Sequence, residues 1–125
     1  MNEIIIQERS IYSYYVSFLE GLKDIFDERE QRAAWVHGDY SQYDCFDEIY
    51  MGFADPCEDV LQWPSLSEEQ RTNLQKLYDM LENYEEKDTD KEIYYDPKWG
   101  KIRVFAEQVY EQLKHFKYVP EEDGE

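Results

Sequence analysis

A chain of 125 residues, 42% apolar and 17% aromatic, is long and hydrophobic enough to bury a core without disulfide or metal support, which excludes an unfolded chain. Thirty acids against 13 Lys and Arg give a formal charge of −17, which repels nucleic-acid phosphates and anionic lipid heads and attracts cationic protein surfaces. Direct nucleic-acid and membrane binding are therefore disfavoured, and with no long apolar run and no basic, apolar leader in Met1–Glu8 the expectation is a cytoplasmic protein.

Ile4-Ile5-Ile6 reads equally as a short strand or as an apolar lead-in covering the end of a helical bundle. From about Ser10 to Val36, the spacing of Ile11, Tyr15, Phe18, Leu22, Ile25 and Phe26 predicts one amphipathic helix, stopped at Gly38. His37 to Tyr43 reads as a loop, and two short helices follow it. The first spans about Asp44 to Phe53, with Phe46, Ile49, Tyr50 and Phe53 on one face. The second opens at Asp55-Pro56, turns Val60 and Leu61 inward and ends before Trp63-Pro64.

Ser67-Glu68-Glu69-Gln70 fits a capping box, with Leu74, Leu77, Tyr78 and Leu81 following at helical spacing. Glu85 to Lys91 reads as a charged linker. Asp96-Pro97 opens a last helix to about Phe116 that buries Trp99, Ile102, Ala106, Val109, Tyr110 and Leu113. The fold expected is all-α: a compact antiparallel bundle of four to five helices in one domain, 1–119, followed by a disordered acidic tail, 120–125.

Enzyme signatures are missing: there is no Gly-rich phosphate loop, GxSxG elbow, HExxH or CxxC. Cys45 and Cys57 read as reduced, buried residues, and His37 and His115 are far apart. No catalytic residue, cofactor or metal is expected. Ala33 to Gln70 instead holds nine acids and no Lys or Arg, together with seven aromatics. Like charges left uncompensated beside Tyr and Trp suit an interface in which charge steers the encounter and aromatics anchor it.

The candidate contacts are Asp39, Tyr40, Tyr43, Asp44, Asp47, Glu48, Tyr50, Asp55, Glu58 and Asp59. A plainer alternative makes Trp35, Phe46, Ile49, Phe53 and Trp63 the core and the acids its wet face. Tyr40 and Tyr43, in the loop, are the residues that a core explains least. A second candidate surface holds Tyr94 and Tyr95, since adjacent tyrosines cannot both point inward.

Ile93-Tyr94-Tyr95-Asp96-Pro97 followed by a helix resembles the immunity proteins that neutralise E-group nuclease colicins, small acidic helical bundles whose Tyr-Tyr turn helps block a basic toxin. The likeness covers about ten residues, and it departs from the pattern because Asp96 separates the tyrosines from the proline and the chain is longer. It implies a toxin-contact role for Tyr94 and Tyr95. The leading expectation is an immunity-type inhibitor that occludes a basic, nuclease-like toxin. The alternatives are a DNA-mimicking anti-defence protein of a phage or plasmid, and an adaptor or scaffold whose acidity serves solubility.

Overall fold

Apolar side chains recurring every three to four residues organise most of residues 4–119, the part of the chain that the computed structural model describes, into helices. Helix α1 (Arg9–Phe26) buries Tyr15, Phe18, Leu19, Leu22 and Ile25. Ile11, expected in that stripe, is 37% exposed. The single helix expected to Val36 is broken at Asp27, whose backbone leaves helical geometry and whose carboxylate accepts from the Glu30 amide at 3.1 Å. A capping aspartate thus starts α2 (Glu28–Gln31), which runs on as a π-helical turn, Arg32–Val36. Gly38, at φ 78°, ends that turn as expected.

Helix α3 (Phe46–Val60) is continuous where two helices were expected, with Pro56 inside it. Pro56 lacks the donor that would reach the Gly52 carbonyl. That carbonyl faces α1 at Gly21, where an added Cβ would lie 2.7 Å from the Gly52 oxygen. Packing of α3 on α1 therefore holds the helix together through the proline.

Helix α4 (Glu68–Glu82) starts at the expected capping box: the Gln70 amide donates to Ser67 Oγ at 3.1 Å, and the Ser67 amide donates to Gln70 Oε1 at 2.8 Å. The charged linker ends earlier than expected, because Thr89 caps a short helix, α5 (Asp90–Tyr95), so the two adjacent tyrosines lie on a helix. Asp96 accepts from the Lys98 amide at 3.1 Å and opens α6 (Pro97–Leu113), as Asp96-Pro97 implied.

The described residues are mostly helical, in six α-helices where four to five were expected, and of the two readings left open for Ile4-Ile5-Ile6 the strand is the one present. Ile4–Ile6 forms a strand, β1, that pairs in parallel with β2 (Phe116–Tyr118), Ile4 opposite Phe116 and Ile6 opposite Tyr118. The last helix consequently stops at Leu113, where the Tyr15 hydroxyl donates to the free Leu113 carbonyl at 2.7 Å. Tyr12 stacks on Tyr118 with centroids 4.7 Å apart, which seats the strand pair on α1. Helix α1 packs against α3 and α6, α4 packs on α6, and one apolar cluster runs from β1 to the end of α6. The acidic tail expected at 120–125 lies outside the described residues. No described helix is long and apolar enough to cross a membrane.

Candidate functional site

The acids of the 39–59 segment stand on the surface. Asp47, Glu48, Asp55, Glu58 and Asp59 are all exposed along α3, and Asp39 and Asp44 are exposed in the preceding loop. Asp39 accepts from the Ser41 amide and hydroxyl, at 3.1 and 2.6 Å, and these bonds hold its carboxyl below the usual range. Tyr40 is 46% exposed and Tyr50 half-buried.

Tyr43 is the exception and corrects the expectation of an exposed loop contact. It is buried, packs on Trp35 with centroids 5.9 Å apart, and donates to the Asp24 carbonyl. Burial pushes its hydroxyl far above the usual tyrosine range, and the nearby Asp24, Asp27 and Glu30 add to this. Trp35, Phe46, Ile49 and Phe53 are buried too, as the plainer alternative had it, whereas Trp63 is only half-buried.

Six carboxylates on and around this surface are held by tyrosine hydroxyls and not by cations. Tyr14 donates to Asp59 at 2.7 Å, Tyr78 to Glu58 at 2.7 Å, Tyr40 to Asp90 at 2.9 Å, and Tyr50 to Glu82. Tyr84 donates to Asp96 at 2.7 Å and Tyr94 to Glu28 at 3.0 Å. Partial burial, the accepting carboxylate and its charge push Tyr14, Tyr40 and Tyr50 up to about 12. These tyrosines remain neutral donors at any physiological pH.

Among the described residues the only Lys or Arg ion pair is Lys114 with Glu111, at 2.7 Å. Other cations are engaged elsewhere: Arg71 donates to the Leu61 and Trp63 carbonyls past the end of α3, Arg103 donates to Gln31 and lies over the Tyr94 ring, and Lys76 lies over Phe105. Glu58, Asp59, Glu82 and Asp90 are thus oriented by neutral hydroxyl donors and not by cations.

The two candidate surfaces adjoin. Asp90, at the start of α5, accepts from Tyr40 with one oxygen and from the Phe46 amide with the other, at 3.3 Å. It so caps α3, whose own preceding residue, Cys45, offers no side-chain cap. Burial, followed by Asp47 and Asp90, pushes Glu86 above the usual range and extends the acidic surface there.

No family model, curated protein or solved structure matches this chain.

The adjacent tyrosines divide as their chemistry requires. Tyr94 is buried, Tyr95 is 60% exposed, and their rings meet edge to face at 5.0 Å. Tyr95 shares a surface groove with Lys87 and Lys91 as well as Glu92 and Asp96, so this end of the surface is mixed in charge. Asp96 itself is buried. That burial pushes it upward, but the Tyr84 hydroxyl, the Lys98 amide, Lys87 and Lys98 outweigh it and hold the carboxyl low.

Two positions escape a reading of the sequence. Gln31, fully buried, donates from Nε2 to the carbonyls of Asp24 and Ile25 and to the Tyr43 hydroxyl, while its Oε1 accepts from Trp99 at 3.0 Å and Arg103 at 3.2 Å. It ties the 37–45 loop to α1 and α6, and only the break at Asp27 turns it inward. Asp24 is half-buried, and burial followed by Asp27, Glu20 and Asp44 pushes its carboxyl up to about 6, against a small opposing pull from Lys23. Among the described residues no three His, Cys, Asp or Glu side chains gather as a metal site.

Proposed function

We propose that the protein is a non-enzymatic inhibitor of the immunity type, which binds a basic, nuclease-like protein partner and occludes its nucleic-acid groove. The observation that carries this reading is the set of tyrosine-held carboxylates along α3 and its neighbours. Phosphate-binding grooves present fixed Lys and Arg side chains, and carboxylates already oriented by hydroxyl donors stand in for phosphates with little ordering left to do on binding. Uncompensated charge of one sign accelerates encounter, and the exposed Tyr40 among those acids supplies an anchor. The chain acts from the cytoplasm in this reading and requires no cofactor.

The test is a pull-down from source cells, followed by binding kinetics on the recovered partner. Neutralising Asp47, Glu48 and the tyrosine-held Glu58 and Asp59 together should lower the association rate about tenfold at low salt. Tyr40→Ala should act differently, raising the dissociation rate by about tenfold or more. An acidic partner, or an association rate unmoved by the four neutralisations, would remove the basis of the proposal.

A further inference from the structure

Toward α1, the flank of α3 carries an apolar groove with acids at its rim. One end is a depression of about 240 Å³ lined by Ile5, Glu8, Ile11, Trp63 and Pro64 among others. The other, of about 340 Å³, is lined by Tyr14, Ser17, Gly52, Asp55, Pro56 and Asp59 together with Phe18. Tyr14 of the second depression lies beside the first, with its ring 6.4 Å from Trp63 and its hydroxyl on Asp59. Ile5, Ile11 and Tyr14 are 45, 37 and 37% exposed, and neither depression is lined by a Lys or Arg.

Gly52 supplies an independent observation. A glycine inside a helix is less favourable than any residue but proline, so it calls for a reason. Gly21 has one, the close approach of the Gly52 carbonyl, and Gly38 has another in its positive φ. Gly52, like Gly100 in α6, has neither, and it also holds the carbonyl that the Pro56 ring crowds; an added Cβ there would meet nothing within 4 Å, and Gly52 lines the depression beside α1. The space that a side chain would fill is the open floor of the groove.

We propose that the α1–α3 groove docks a basic amphipathic helix of a protein partner. The apolar side of that helix lies on Ile11, Tyr14 and Trp63, its backbone passes close over Gly52, and its Lys and Arg side chains face Glu8, Asp55 and Asp59. Two helices flanking an apolar channel suit the helix-in-groove mode, and an acidic rim with no cation selects a cationic occupant. The proposal deepens the reading of a basic partner and rests on it.

The probe is a synthetic helical peptide carrying Leu at i, i+3, i+4 and i+7 and Lys elsewhere, with a scrambled peptide and an oligolysine of equal charge as controls. Backbone NMR shifts on titration should map to Ile11, Tyr14, Gly52 and Trp63. Gly52→Leu should leave the melting temperature unchanged or higher while weakening the amphipathic peptide at least tenfold. Asp55→Asn combined with Asp59→Asn should weaken it several-fold, and the scrambled peptide should bind at least tenfold more weakly than the amphipathic one.

Equal affinity of the Gly52→Leu variant, or shifts confined to other faces, would overturn the docking site. Concentration-dependent dimerisation abolished by Gly52→Leu would overturn it in favour of a second copy. If oligolysine shifts the 39–48 residues while the amphipathic peptide leaves the groove untouched, the groove proposal fails and the basic-partner reading stands. If neither peptide binds, both fall.

Discussion

A tyrosine hydroxyl can orient a carboxylate without neutralising it, and on this surface that distinction matters. A Lys partner would cancel the charge and is held only loosely in water. Tyr14, Tyr78 and Tyr40 instead hold Asp59, Glu58 and Asp90 at 2.7 to 2.9 Å, from rings anchored on other elements. Asp24 shows the cost of such crowding. Its carboxyl, pushed from 3.8 up to about 6 by burial and by Asp27, Glu20 and Asp44, is more easily protonated in the fold than in the unfolded chain. A raised carboxylate pKa favours folding below the unfolded value and loses that advantage as pH climbs through the folded one. Asp24→Asn should therefore stabilise the protein at pH 7, by on the order of 1 kcal/mol once solvent screening at this half-exposed site is allowed for, and have almost no effect at pH 3 to 4. Urea denaturation of both proteins at the two pH values checks it; equal effects at both would mean that Asp24 is not strained by its neighbours.

At the scale of elements, the caps at Ser67 and Asp96 were legible, the equally local caps at Asp27 and Thr89 were not recognised, and long-range compensation was not legible at all. Ser67 with Gln70 and Asp96 with Pro97 carry their own partners within three residues, so α4 and the start of α6 follow from local sequence. Asp55-Pro56 uses the same letters but lies inside α3, because the bond Pro56 cannot make is offset by packing on α1, which lies some 30 residues away in the chain. Tyr43 and Gln31 turn inward for a similar reason: each partners groups that reach it only after the chain breaks at Asp27. The strand pair joins the two ends of the described chain, and no local period could announce it. The crossing itself makes a prediction. A Cβ on Gly21 would sit 2.7 Å from the Gly52 carbonyl oxygen, a backbone atom that cannot swing aside. Gly21→Ala should cost about 1–3 kcal/mol despite the better helix propensity of alanine, measured as a lower urea midpoint at unchanged m-value. A stabilised variant would show that α1 and α3 can separate at little cost.

At the scale of the whole molecule, a charge of −17 should make salt act in two opposite ways. Self-repulsion among the carboxylates opposes folding, and raising ionic strength from about 10 mM to about 0.5 M shortens the reach of each charge from roughly 30 Å to roughly 4 Å. The attractions lost in exchange are small. The only Lys or Arg ion pair among the described residues joins Lys114 and Glu111 at the surface, and the tyrosine hydroxyls act at hydrogen-bond range, which salt hardly touches. The melting temperature should therefore rise with NaCl, at about 3–6 °C per kcal/mol of relieved repulsion for a chain of this length. Over the same range the association rate with the proposed basic partner should fall, because the field that strains the fold is the one that would steer such a partner. An acidic surface serving solubility alone would give the first effect without the second, and a melting temperature that falls with salt would mean that attraction rather than repulsion dominates the charges. Thermal melts and stopped-flow association over one series of salt concentrations read both signs on the same protein.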